Sequence, residues 1–177
     1  MSYDYSLTKP FFEKGKELER AFASDLTREC GGSARPAPKG DDKYKHIDLY
    51  YQSPIEGARE CSIDVKGARK KSRSDANVTY DATWLEFING EGNVGSLCGE
   101  EDYLVFEGKD GWYMTRRANL LESTKSKITD PTIYDVNPHE YFKLYQRKGR
   151  NDLIVMVPFS FIEENTCKVI KKHLDLV

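Results

Sequence analysis

The sequence predicts a single α+β domain, in the wider α/β class. Three observations predict it: a helical period near the N-terminus, a run of short apolar and aromatic segments punctuated by turns, and helical stretches toward the C-terminus. Between residues 10 and 29, Phe11, Leu18, Phe22 and Leu26 recur at spacings of four or seven and so share one helix face. Thr8 is placed to cap this helix, with Pro10 in its first turn. Residues 31–42, GGSARPAPKGDD, carry no period and predict a loop.

Residues 46–52 (HIDLYYQ) and 60–66 (ECSIDVK) read as short strands joined by the turn-rich SPIEGA, an antiparallel pair. Three more strands are predicted at 83–88, 102–107 and 112–115, the last two joined by GKDG as a hairpin. A short helix is expected at 116–123 and another from Asn137 or Pro138 to residue 146. A strand at 153–157 and a closing helix at 159–173 complete the chain. No internal repeat or interdomain linker interrupts residues 1–177.

Composition sets the outer limits. A chain of 177 residues is of single-domain size and should bury roughly 70% of its unfolded surface. With 38% apolar residues, 11 Tyr, 8 Phe and 2 Trp, wholesale disorder is excluded. No apolar run reaches the roughly 20 residues needed to span a bilayer, and the N-terminus lacks a signal-peptide pattern, so no membrane association and a cytoplasmic location are expected. Cys30, Cys61, Cys98 and Cys167 show no zinc-site spacing and read as reduced packing thiols. The net charge of -2 means that any nucleic-acid binding must come from local basic segments. The clearest is KGARKKSR, from Lys66 to Arg73, with a smaller one at Arg147, Lys148 and Arg150.

The residues that carry chemistry lie on the first strand pair. Side chains alternate along a strand, so Asp64 and Lys66 project from one face while Val65 points to the other. Asp48, on the neighbouring strand, can approach Asp64 on that face. Two carboxylates make a hard oxygen site suited to Mg²⁺, with Mn²⁺ as a substitute. Both acids sit among Ile47, Leu49, Ile63 and Val65, where an unpaired carboxylate is costly, and a bound cation offsets that cost. Lys66 is placed to hydrogen-bond an attacking water or a phosphate oxygen and to neutralise charge that develops during attack. A solvated Asp–Lys ion pair is the competing reading of the same spacing.

In chain order, a helix bearing Glu19, a strand with Asp48 and a strand with Asp64-x-Lys66 resemble the PD-(D/E)XK, or restriction-endonuclease-like, phosphodiesterases. KGKELER (14–20) also resembles the KGxxxER opening of archaeal-type Holliday-junction resolvases, through Lys14, Gly15, Glu19 and Arg20. The resemblance covers residues 10–73. It implies a central mixed sheet flanked by helices and Mg²⁺-dependent hydrolysis of DNA phosphodiester bonds, of junction, restriction or repair type. It implies Asp48, Asp64, Glu19 and the Val65 backbone carbonyl as metal ligands, with Asp48, Asp64, Lys66 and Glu19 as catalytic residues. Arg69, Lys70, Lys71 and Arg73 would then track DNA phosphates beyond the strand end, and Arg35 and Lys39 could close over the substrate from the preceding loop. A homodimer is compatible, since cutting two strands uses two sites. The alternative is a catalytically silent nuclease fold that binds DNA or protein.

Overall fold

The computed structural model describes residues 9–70, 77–136 and 138–173, the side chains of 9–12 and 43 excepted. Helix α1 spans Lys9–Cys30. Its Leu18, Phe22 and Leu26 form the predicted apolar face, while Thr8, the expected cap, lies outside the described residues. Gly31 and Gly32 end it with φ of 71° and 73°, a left-handed backbone that favours glycine. A Cβ on Gly32 would stand 2.2 Å from the Gln52 carbonyl oxygen.

The expected loop at 31–42 is instead largely ordered into elements. Strand β1 (Ser33–Pro36) pairs antiparallel with β2 (Leu49–Gln52), and helix α2 (Lys39–Lys45) lies between them. A four-residue edge strand tolerates Pro36 because one side of it needs no partner, and its pairing comes from β2 rather than from any period of its own. His46, with φ 57°, closes α2, so Asp48 stands just before β2 instead of within it.

β3 (Cys61–Lys66) pairs antiparallel with β2, as expected. A small ribbon, β4 (Arg69–Lys70) with β5 (Val78–Thr79), precedes β6 (Ala82–Ile88). β7 (Tyr103–Glu107) and β8 (Gly111–Arg116) form the predicted hairpin, closed by the Gly108 N–H on the Gly111 carbonyl at 2.8 Å. Helix α3 covers Arg117–Lys127.

Beyond it come β9 (Ile133–Tyr134), β10 (Leu144–Tyr145), β11 (Leu153–Pro158), α4 (Phe159–Glu164) and β12 (Thr166–Lys171). Two expectations fail here. The helix ending at 146 does not form among the described residues, Asn137 lying outside them. Phe142 adopts a left-handed φ of 59°, and fully buried Tyr145 draws the segment into a strand beside β11. The closing helix stops at Glu164, where the Asn165 amide and Thr166 hydroxyl cap the Phe161 and Ile162 carbonyls. The β-branched TCKVIK then pairs with β8, burying Ile170.

The result is a mixed α+β architecture. A six-stranded sheet, ordered β1-β2-β3-β7-β8-β12, is antiparallel throughout except for the parallel pair β3–β7. A second sheet runs β6-β11-β10-β9. On one face of the large sheet, Ile63, Val65, Val105 and Trp112 pack against Phe22 and Leu26 of α1. On the other, Leu104 and Phe106 meet Leu85, Val155 and Val157 of the second sheet and Phe161 and Ile162 of α4. All four cysteines are free thiols. Among the described residues no helix is long and apolar enough to cross a membrane.

Candidate active site

Strand alternation in β3 sends Ile63 and Val65 into the α1 core. Asp64 and Lys66 therefore project from the opposite face, beside Leu104 and Phe106 in the parallel register. The Lys66 ammonium lies 2.7 Å from Asp64 Oδ2, and the Asp64 side chain is only 4% exposed. Asp48 is fixed by three backbone-linked contacts. Its N–H donates to the Ile63 carbonyl at 2.9 Å, its carbonyl accepts from Ala37 N–H at 2.8 Å, and its Oδ2 accepts from Val65 N–H at 2.7 Å. The structure thus brings Asp48, Asp64 and Lys66 together from two adjacent segments.

Burial pushes the Asp48 carboxyl well above the usual range, and the Asp64 carboxylate beside it pushes in the same direction. At Lys66, burial works against the charge, but Asp64, then Asp48 and Glu86, outweigh it and hold the ammonium above its ordinary value. A third acid sits behind this group. Glu101 is 1% exposed, and neither of its carboxyl oxygens has a hydrogen-bond partner. Burial, reinforced by Asp64, raises it to about 8. Asp64 Oδ2 likewise makes no hydrogen bond and meets Lys66 as an ion pair. Three acids thus lie near one ammonium, and ionising all of them would leave an excess of negative charge that a cation would relieve.

Among the described residues, no three His, Cys, Asp or Glu side chains converge closely enough to hold an ion together. Asp48 and Asp64 are the carboxylates here that could hold a hard cation, which would keep much of its shell as water, as Mg²⁺ does. Glu19 stands apart from that pair. It is 8% exposed, and its carboxylate is paired with Lys16 at 2.9 Å, whose ammonium also reaches Asp42 at 3.0 Å. Burial raises the Glu19 pKa, Lys16 opposes this, and the charge on Asp48 adds to the rise, so the two acids feel each other without sharing a site.

The cations expected to track phosphates are placed unevenly. Arg69 packs its guanidinium over the Trp84 ring at 5.1 Å, with Met156 Sδ 3.5 Å away and Asp81 at 3.9 Å. Its side chain is only 16% exposed, so it joins the ribbon to the second sheet. Arg35 lies over Tyr50 at 4.4 Å and pairs with Glu60 at 2.7 Å. Lys39 is exposed on α2, and Lys70 is half-buried on β4. Lys71 and Arg73 lie outside the described residues. His46 turns its Nε2 to the Val94 carbonyl at 2.6 Å.

Sequence reasoning missed Glu101, because GEEDY reads as a polar turn and nothing local shows that its second acid is buried. Glu86 is half-buried on β6, and its charge favours the ammonium form of Lys66. A cleft of ≈ 610 Å³ opens where β3 and β7 begin, lined in part by Tyr51, Cys61, Glu101 and Arg116, while Asp48, Asp64 and Lys66 are not among its lining residues. Compared with protein-family models, curated proteins and solved structures, the chain finds no match.

Proposed function

We propose that this protein is a divalent-metal-dependent endonuclease that hydrolyses DNA phosphodiester bonds. The observation that carries the reading is the convergence of half-buried Asp48 and buried Asp64, with Lys66 ion-paired to the second acid, at the end of one strand. The chain order of α1 with Glu19, Asp48 before β2, and Asp64-x-Lys66 on β3 supports a restriction-endonuclease-like identity for the six-stranded mixed sheet.

Asp48 and Asp64 would hold Mg²⁺ or Mn²⁺, the Val65 carbonyl lying next along β3. A bound divalent cation supplies Lewis acidity and a water of lowered pKa. With Asp64 engaged by a cation, the Lys66 ammonium would be available to orient an attacking water or to neutralise a phosphate oxygen as charge develops. Glu19, paired with Lys16 on α1, would influence the metal through its charge on Asp48 rather than as a direct ligand. DNA is the partner this reading requires, and a cytoplasmic location suits it.

The test is cleavage of supercoiled plasmid and of synthetic branched DNA in Mg²⁺ or Mn²⁺. Wild type should nick or cut at least one of them and lose this with a chelator. Asp64→Ala and Lys66→Ala should each lower the rate by two or more orders of magnitude, on the scale of removing an electrostatic catalytic group. Equal cleavage by wild type and both variants would remove the proposed site.

A further inference from the structure

Helix α1 stops short of the end of the sheet it packs on. Gly31 and Gly32 turn the chain away after Cys30, and the Tyr51 hydroxyl donates to the Gly31 carbonyl at 3.0 Å. Strand alternation puts Tyr51 of β2, Cys61 of β3, Tyr103 of β7 and Met114 of β8 on the α1 face, and Arg116, two residues past Met114, on the same face. Tyr51 pairs with Cys61, and Tyr103 with Arg116, so these side chains form a band across four strands. With Leu26 and Cys30 from the end of α1 they line the cleft of ≈ 610 Å³, a size within the roughly 300–1,000 Å³ of small-molecule sites.

The charges around this cleft do not balance. Arg116 is exposed, its guanidinium 5.7 Å from the centroid of the Tyr103 ring. Lys168, also exposed, stands opposite Met114 on β12, a diagonal neighbour of Arg116 within reach of two long side chains. Among the described residues neither meets a carboxylate at ion-pair distance. Arg117 donates to the Glu101 carbonyl at 3.0 Å and the Leu97 carbonyl at 3.3 Å, neither of them an acid group. Of the lining acids, Asp102 accepts from the Ser62 N–H at 2.9 Å and is ion-paired with Arg59, and Glu101, raised to about 8, is protonated at neutral pH. That leaves exposed Glu100 against Arg116, Arg117 and Lys168.

We propose that this cleft binds a small organic anion, a carboxylate or a phosphate on a flat apolar body, held by Arg116 and Lys168. It lies on the sheet face opposite Asp64 and is independent of the nuclease reading. A guanidinium offers paired donors to two oxygens of either anion, and the lysine adds a point charge. Half-buried Tyr103 and Cys61 and buried Met114, all on one sheet face, give a flat body an apolar floor. The cleft also carries its own reporter: exposed Cys167 lines it, whereas Cys98, also free and exposed, does not.

The experiment follows alkylation of each cysteine by N-ethylmaleimide, read by peptide mass spectrometry, as the full chain is titrated with naphthyl phosphate or naphthoate. Inorganic phosphate and naphthol serve as the anion alone and the body alone. Cys167 labelling should slow several-fold and saturably with one or both aryl anions, while Cys98 labelling stays constant. Which aryl anion protects identifies the head group as phosphate, carboxylate or either. Arg116→Gln and Lys168→Gln, both at exposed positions, should each weaken the probe's affinity roughly tenfold, the loss of one charge-assisted contact.

Equal protection of Cys98, or equal protection of Cys167 by naphthol or by inorganic phosphate, would overturn the proposal. So would undiminished protection in a folded Arg116→Gln/Lys168→Gln variant, or unslowed labelling with both aryl anions. All of these outcomes leave the nuclease reading as it stands, since DNA cleavage is a separate readout.

Discussion

The Val65 amide donates to Asp48 Oδ2 at 2.7 Å, so the strand that presents Asp64 and Lys66 also grips the first acid by its side chain. This hydrogen bond sets the spacing of the two carboxylates through the backbone, and it needs only an acceptor oxygen. Asp48→Asn retains that acceptor and removes the charge. In the absence of metal the variant should therefore melt at a higher temperature than wild type at neutral pH, because burial and Asp64 both penalise the Asp48 carboxylate. The thermal shift that Mg²⁺ gives wild type should disappear. Differential scanning fluorimetry with and without Mg²⁺ reads both effects, and an undiminished Mg²⁺ shift in the variant would contradict them.

Glu101 sets an unusual pH dependence. Its folded pKa of about 8 stands above the ordinary value of 4.5, so the native state binds the proton more tightly than the unfolded chain does. Stability from this group is present below the unfolded value and is lost as pH rises through the folded one, and Asp48 contributes with the same sign. The metal-free protein should thus lose stability between about pH 5 and about pH 8, where most proteins are near their optimum. Glu101→Gln should flatten that decline. Urea midpoints at the two ends of the window test it, and a wild-type midpoint that rises with pH would count against it.

Away from the site, Trp112 Nε1 donates to Asp25 Oδ2 at 2.8 Å within the α1 core, and the Trp112 ring packs edge-on against Phe22 at 5.5 Å. Asp25→Ala leaves a buried indole N–H without its acceptor, at a cost of about 1–3 kcal/mol. For a chain of this size that corresponds to a fall of roughly 2–12 °C in melting temperature. Metal binding should be unchanged, since Asp25 lies on the opposite face of the sheet from Asp64.

Gly95 allows the 89–95 turn to fold back on β6. Its N–H donates to the Phe87 carbonyl at 2.9 Å, and a Cβ there would lie 2.3 Å from the Glu86 carbonyl oxygen and 2.8 Å from the Phe87 carbonyl carbon. Because the obstruction is backbone, no side chain can move aside. Gly95→Ala should destabilise by about 1–3 kcal/mol through overpacking. It should also lower DNA cleavage out of proportion to that loss, since it shifts the strand that carries Glu86. A cleavage rate that follows only the folded fraction would contradict the second part.

Much of the site was legible because it is local. The two-residue step from Asp64 to Lys66 places both on one face whatever the rest of the chain does, and the apolar neighbours of Asp64 foretell its burial, while Asp48 is half-buried. The helix of Leu18, Phe22 and Leu26 and the GKDG hairpin were legible for the same reason: their periods and turns are written in adjacent residues. What escaped depends on partners far along the chain. β1 exists because β2 offers it an edge, and β12 takes the place of a helix because β8 needs a partner and Asn165 and Thr166 cap the turn before it. Arg69, in a run that reads as basic, is drawn over the Trp84 ring by a ribbon that no local pattern announced. The burial of Glu101 is likewise a product of tertiary packing, which composition and spacing do not encode.

The central claim is that Asp48 and Asp64 jointly hold a divalent cation. Crystals of the protein soaked in Mn²⁺ and measured at an anomalous-scattering wavelength test it most directly. The account predicts a peak between the two carboxylates, with the Lys66 ammonium drawn away from Asp64, and no such peak in Asp64→Asn. A peak elsewhere with Lys66 still 2.7 Å from Asp64, or none at all, would contradict it.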